Sequence, residues 1–233
     1  MNDKPLWAPS PDRIAASNAA AFMKLVNGRH GLAIADYAQL HRWSVDHLED
    51  FWTAVWDFGG VIAETRGARV VADRDQMPGA RFFPDARLNF AENLLREGAA
   101  GFGGDADALV FWGEDKVRRH LTRRDLLALV SRTQQALAAA GVKEGDRVAA
   151  FMPNMPETVV AMLATASLGA TFSSCSPDFG VQGVLDRFGQ IEPTVLFCCD
   201  GYHYNGKVVE TLSRIGATSS SCPRSGAWSW CPT

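Results

Sequence analysis

The chain has 233 residues, of which 47% are hydrophobic, 10% aromatic and 21% charged; the length suits one large domain or two small ones, and the balance excludes a disordered or collagen-like chain. The net charge of −3 and a pI near 5.9 supply no electrostatic reason to expect nucleic acid or an anionic membrane as partner. Mean hydropathy is −0.08, and no run approaches the ~18 apolar residues of a membrane-spanning helix.

The first seven residues, Met1-Asn2-Asp3-Lys4-Pro5-Leu6-Trp7, carry no apolar stretch of the signal-peptide kind. Ser10-Pro11-Asp12 can cap a helix running through Ile14, Phe22, Leu25 and Val26. Ser44 is expected to cap a second helix, whose Leu48, Phe51, Trp52, Val55, Trp56 and Phe58 recur near helical spacing. This tryptophan-rich stripe reads as core rather than as a binding surface. Residues 77–89 hold two prolines and no period, so they read as an irregular segment laid across a surface. A short helix over residues 90–96 follows, and Gly101, Gly103 and Gly104 mark a linker.

From about residue 105 the pattern becomes regular. Residues 108–112 and 117–121 form two short runs that can pair as a hairpin. Thr122, with Asp125 three residues on, is a variant capping box. The helix after it sets Leu126, Leu129, Val130, Thr133 and Leu137 on one face and ends at Gly141. A strand is predicted over residues 147–152. Pro156 then suits the first turn of a helix that is apolar on most sides and ends at Gly169. A short strand over residues 170–173 is followed by an amphipathic helix carrying Val181, Val184, Leu185, Phe188 and Ile191. Residues 194–198 read as the next strand, and Val208, Val209, Leu212 and Ile215 as a final helix.

Strands alternating with helices at short connections predict βαβ crossovers and an α/β fold around a mostly parallel sheet. Ligands of such sheets bind beyond the carboxyl ends of the strands. That directs attention to residues 153–157, 174–180 and 200–207. In Ser173-Ser174-Cys175-Ser176-Pro177-Asp178-Phe179-Gly180, hydroxyls and a helix start could hold a polar or anionic group. The competing reading makes Ser176 a cap with Pro177 in the first helical turn. In Asp200-Gly201-Tyr202-His203-Tyr204-Asn205-Gly206-Lys207, two tyrosines offer flat faces and Lys207 a point charge. Its competing reading is a surface turn into a helix capped by Asn205.

Other reactive side chains carry less. Cys175 has no histidine nearby in sequence and is expected to be a buried thiol. The five cysteines show no C-x-x-C spacing and the five histidines no ligand spacing, so neither a disulfide framework, a zinc site nor any other metal is assigned. A reducing cytoplasm is the default location. The basic group Arg118, Arg119, His120, Arg123 and Arg124 lacks interleaved aromatics and reads as a solvated hairpin and helix start.

Residues 77–95 (MPGARFFPDARLNFAENLL), 145–157 (GDRVAAFMPNMPE), 167–180 (SLGATFSSCSPDFG) and 186–207 (DRFGQIEPTVLFCCDGYHYNGK) resemble the acetoacetate–CoA ligases of the adenylate-forming acyl-CoA synthetase superfamily. The resemblance runs over roughly residues 5–216. It implies an N-terminal extension of the acetyl-CoA synthetase type over residues 1–100 and part of the AMP-binding domain over residues 101–216. It also implies a two-step reaction in which ATP and acetoacetate form an acyl-adenylate and the CoA thiol then displaces AMP, with Mg2+ in attendance. On the same ground Pro177, Asp178, Phe179, Tyr204, Gly206 and Lys207 become candidates for the CoA side of the cleft. The Ser/Thr/Gly-rich phosphate loop ending in Pro-Lys, the magnesium-site glutamate, the ribose-binding aspartate and the C-terminal catalytic lysine of such ligases have no counterpart here. No catalytic residue or metal ligand is therefore assigned, and the chain alone is expected to be inactive and to hold no cofactor tightly. The alternatives are a stand-alone CoA- or nucleotide-binding module, a ligase for another short-chain acid, or an unrelated doubly wound domain.

The family-like pattern stops at Gly216. Residues 217–233 hold two of the seven tryptophans and two of the five cysteines without helical or strand period. They read as an aberrant tail translated out of frame.

Overall fold

The computed structural model describes residues 6–96, 103–114 and 116–211, and the backbone of residues 227–231. The chain divides into two compact units, Met1–Leu88 and Asn89–Thr233.

The first unit contains helices α1 (Pro11–Ala15), α2 (Asn18–His30), α3 (Tyr37–Asp46) and α4 (Leu48–Phe58), then two short antiparallel strands, β1 (Val71–Ala72) and β2 (Arg81–Phe82). Ser10 caps α1 as expected, but that helix stops at Ala15, and Ser17 caps a separate α2 by accepting from the Ala20 N–H at 3.2 Å. Ser44 is not a cap. It lies inside α3, a helix capped by Asp36, and its hydroxyl donates to the His41 carbonyl; the helix it was expected to cap, α4, starts after His47 with no side-chain cap. Serine inside a helix satisfies itself on the preceding turn, which is why its presence alone does not mark a start. Phe22, Val26, Leu40, Trp43 and Ala54 form the core, and Phe51 meets Phe22 edge-on at 5.8 Å. The tryptophan stripe continues this packing. Trp52 and Trp56 are half-buried against Phe82 and Phe83, with ring centroids 5.0 and 4.5 Å apart, so residues 77–89 do cover a surface.

The second unit begins with α5 (Phe90–Leu95), capped by Asn89, whose amide also donates to the Ala166 carbonyl at 2.8 Å. A hairpin follows, β3 (Asp107–Gly113) with β4 (Val117–Thr122). Next come α6 (Arg123–Ala139), β5 (Arg147–Phe151), α7 (Pro156–Ser167), β6 (Thr171–Cys175), α8 (Val181–Ile191) and β7 (Val195–Cys199). A second antiparallel hairpin joins β8 (Gly201–Tyr204) to β9 (Lys207–Glu210), and β10 (Ala227–Cys231) closes the order. The expected capping box is present: Thr122 accepts from the Asp125 N–H at 3.1 Å, and Asp125 accepts from the Thr122 N–H at 3.2 Å.

The sheet is parallel throughout, in the order β10-β7-β5-β6. Because side chains alternate along a strand, β5 feeds two cores. Val148 and Ala150 join Val130 of α6 and Leu163 of α7 on one face. Ala149 and Phe151 join Val184 and Phe188 of α8 on the other. This is the α/β fold with flanking helices expected from the alternation of elements.

Two expectations for the end of the chain fail. Val208 and Val209 lie in β9, not in a helix; Leu212 and Ile215 lie outside the described residues. The cause is Asn205-Gly206, both left-handed (φ 50° and 73°), which makes a tight two-residue hairpin turn. The tail, read as lacking any strand period, supplies β10, whose backbone pairs with β7 from Ala227↔Val195 to Cys231↔Cys199. An open edge of a parallel strand accepts extended backbone whatever its side chains. Residues 217–226 and 232–233 lie outside the described residues.

Candidate functional site

The three loops at the carboxyl ends of β5, β6 and β7 lie at one end of the sheet, as parallel topology requires. After β5, Pro153-Asn154-Met155 leads into α7, and the Thr158 hydroxyl donates to the Pro153 carbonyl at 2.7 Å. After β6, the chain turns with the Phe179 N–H on the Ser176 carbonyl at 3.2 Å. Ser176 does not cap α8, because that helix starts later with Gly180 at the cap position. The Ser176 hydroxyl instead donates to Asp178 Oδ2 at 2.7 Å. After β7, the β8–β9 hairpin rises directly from Asp200.

Two carboxylates join these loops. Asp178 Oδ1 accepts from the Tyr202 hydroxyl at 2.5 Å, tying the loop after β6 to the hairpin after β7. Glu114, in the β3–β4 turn, accepts the N–H of Asn205 through Oε1 and that of Gly206 through Oε2 at 2.9 Å. Beside this contact lies a cavity of about 260 Å³ lined by Phe111, Trp112, Glu114, Arg119, Met155, Tyr202 and Tyr204 among others. Arg119 at its wall pairs with Glu157 at 2.5 Å.

The six candidate residues fall into different environments. Pro177 is fully buried. Asp178 is exposed but engaged by Tyr202 and Ser176. Phe179 is 39% exposed, and the Arg187 guanidinium sits 4.0 Å above its ring centroid. Tyr204 is 62% exposed and, of the six, is the one that lines the cavity. Gly206 occupies the left-handed turn, and exposed Lys207 pairs with Tyr204 across the hairpin.

Three features were not drawn from the sequence: the Tyr202 contact, the Glu114 contact and the cavity. Asn-Gly was the available signal for the second, since a tight two-residue turn with both residues left-handed leaves N–H groups free to meet an acceptor. Cys175 has no nucleophilic character. It is buried, and burial pushes its thiol up to about 11, a rise the Arg187 charge only partly opposes. Among the described residues no helix is long and apolar enough to cross a membrane.

Comparison with known proteins gives the family. Residues 37–94 match the acetyl-coenzyme A synthetase N-terminus and residues 95–224 match the AMP-binding enzymes. The chain is 55% identical over 219 residues to acetoacetyl-coenzyme A synthetase of Rhizobium meliloti (strain 1021), covering 94% of this chain and 33% of that protein. It is 36% identical over 220 residues to the malonamoyl-CoA synthetase of Penicillium aethiopicum, covering 94% of this chain and 30% of that one. The solved structure of acetoacetyl-CoA synthetase from Streptomyces lividans superposes with a TM-score of 0.92 at 42% identity, over 98% of this chain and 35% of that one. The chain thus spans about a third of the length of these relatives. With the parallel sheet, the loops at its carboxyl end and both matched segments in agreement, the chain belongs to the family of AMP-binding enzymes and corresponds to the N-terminal third of the acetoacetyl-CoA synthetases.

Proposed function

We propose that this chain is the N-terminal part of an acid–thiol ligase acting on acetoacetate, ATP and CoA, and that its contribution is one wall of the CoA site. The observation that carries this reading is the 55% identity to an acetoacetyl-coenzyme A synthetase across 94% of the chain. In the first step a carboxylate oxygen bonds to the α-phosphorus of ATP and pyrophosphate leaves. In the second, the CoA sulfur bonds to the acyl carbon, the carbon–oxygen bond to AMP breaks, AMP takes the electron pair and the thiol proton is released. Among the described residues no group of three or more His, Cys, Asp or Glu side chains converges as a metal site. No residue of this chain is assigned to the Mg2+ that such ligases use.

The chain's own groups suit the nucleotide end of CoA. Phe179 and Tyr204 offer ring faces, and Lys207 and Arg187 offer positive charge to phosphate. Asp178 holds the loop that carries Phe179 against Tyr202, and Pro177 in the same loop is fully buried. A ligase for another short-chain acid is the second reading, favoured by the 36% identity to a malonamoyl-CoA synthetase.

The test is a chimera in which residues 1–211 replace the matching segment of the Rhizobium meliloti enzyme. Acetoacetate-dependent ATP–pyrophosphate exchange and CoA-dependent product formation are expected, and Lys207→Ala should raise the KM for CoA by about tenfold, the loss of one charge-assisted contact. The 233-residue chain alone should show no exchange above a no-enzyme control. A chimera with malonamate-dependent but not acetoacetate-dependent turnover supports the second reading, and an unchanged KM for CoA removes Lys207 from the site.

A further inference from the structure

We propose that Glu114 is the positioning residue of the CoA-side turn: its carboxylate clamps both N–H groups of the Asn205-Gly206 turn and thereby fixes where Tyr204 and Lys207 stand. This rests on the reading of that turn as part of the CoA site.

The geometry is specific. Consecutive left-handed residues turn their N–H groups to one side, which makes a small anion-binding concavity. At Asn205 and Gly206 that concavity is filled by a carboxylate from the tip of a different hairpin, 91 residues away in the chain, with one oxygen on each N–H. Glu114 is itself left-handed, with φ 53°. Few non-glycine residues adopt that conformation, and those that do cluster where the surroundings dictate it. Two left-handed turns therefore meet through a doubly hydrogen-bonded contact.

Glycine at 206 permits the turn but does not fix where it stands, and residues 204–207 are exposed at the end of the hairpin, where the Tyr204–Lys207 pair closes the ladder. With the clamp in place, the turn N–H groups are unavailable to a ligand phosphate. The positive charge offered at this point is then that of Lys207, immediately after the clamped residues. Glu114 itself brings negative charge near that lysine, so a purely electrostatic role would weaken phosphate binding. A positioning role strengthens it, and the two make opposite predictions.

The experiment compares Glu114→Ala and Glu114→Gln in the full 233-residue chain by amide hydrogen exchange, and in the chimera by steady-state kinetics. Glutamine keeps the side-chain size and one acceptor, so it reports even where the alanine variant does not fold. Loss of a hydrogen bond to a charged acceptor should cut protection of the Asn205 and Gly206 amides by about tenfold and raise the KM for CoA by about tenfold, with the KM for ATP unmoved. Unchanged protection in both variants, or a KM for CoA that is unchanged or lower, overturns the proposal. Lys207→Ala in the same chimera separates the two layers. If it raises the KM for CoA while the Glu114 variants do not, the clamp role alone fails; if none of them does, the CoA reading of this turn fails as well.

Discussion

Gly201→Ala is a small change with two opposed consequences, and their sizes decide the sign. A Cβ at residue 201 would lie 2.9 Å from the Val209 carbonyl oxygen, about half an ångström inside ordinary contact. The obstacle is backbone, part of the ladder in which Gly201 pairs with Glu210 and Tyr202 with Val209, so it cannot swing aside. The ladder is pinned below by Thr211, which is fully buried, donates to the Cys199 carbonyl through its hydroxyl and to the Asp200 carbonyl through its N–H at 2.9 Å. Overpacking of a tight site costs about 1–3 kcal/mol, whereas the narrower unfolded ensemble of alanine returns about 0.4–1 kcal/mol. At the middle of both ranges the clash wins by about 1 kcal/mol. The loss is read locally, as faster amide exchange across the β8–β9 hairpin. The displaced hairpin should also release the Asn205 and Gly206 amides from Glu114. Equal or slower exchange in Gly201→Ala would refute the claim that this glycine is required for want of space.

Thr122→Ala removes the capping box at the start of α6 and should cost about 1 kcal/mol in denaturant titrations of the second unit. Hydrogen bonds from the Thr122 side chain and backbone hold Asp125 below its ordinary value of 3.8, so its contribution is complete above that pH and vanishes as pH falls through the lowered folded value. The difference between wild type and Thr122→Ala should therefore shrink in acid below about pH 4, and a constant difference would exclude the carboxylate from the cap. Cys175 and Cys198 are buried, with thiols pushed up to about 11, and Cys199 is raised in the same direction by burial. Site-resolved alkylation near pH 8 should label these three far more slowly in the folded chain than in urea.

The layers of the second unit were legible because burial imposes a period. Val181, Val184, Phe188 and Ile191 could face one way only on a helix, and the alternation of β5 between two cores needs helices on both sides. The same reasoning misled at Val208 and Val209, where four apolar residues fit a helical spacing by chance and the local chemistry of Asn-Gly decided for a hairpin. Caps proved ambiguous for a related reason. Ser10 and Thr122 cap, but Ser44 and Ser176 use their hydroxyls on a preceding carbonyl and a neighbouring carboxylate, and nothing local in the sequence separates the cases. The contacts that organise the candidate site were beyond reach of spacing altogether. Glu114 to Gly206 and Asp178 to Tyr202 span 92 and 24 residues, and only the docking of whole elements brings them together.

The backbone of β10 sharpens the argument about residues 217–233. It stands in the slot beside β7, whose five residues are all buried. Strands covered on both faces are normally near-continuous aliphatic runs, whereas this slot holds Ala227-Trp228-Ser229-Trp230-Cys231. Tryptophan has one codon, TGG, and cysteine begins TG, so the adjacent frame is constrained there. The last base of Ala227 with the first two of Trp228 gives NTG, for leucine, methionine or valine. Trp228 with a TCN serine gives GTC, valine; Ser229 with Trp230 gives NTG again; Trp230 with Cys231 must give GTG, valine. With a TCN serine, four consecutive codons for valine, leucine or methionine emerge at the position where the backbone pairs in parallel with buried β7. Upstream codons are freer, so the weight rests on these four. A one-base insertion or deletion near codon 216 is the expected cause. Sequencing the locus across codons 214–233 and beyond should show a ligase-like frame continuing into a Ser/Thr/Gly-rich phosphate loop. If the only continuation is the frame that encodes Ala-Trp-Ser-Trp-Cys, the shift did not occur, and a stand-alone binding module becomes the better account of this chain.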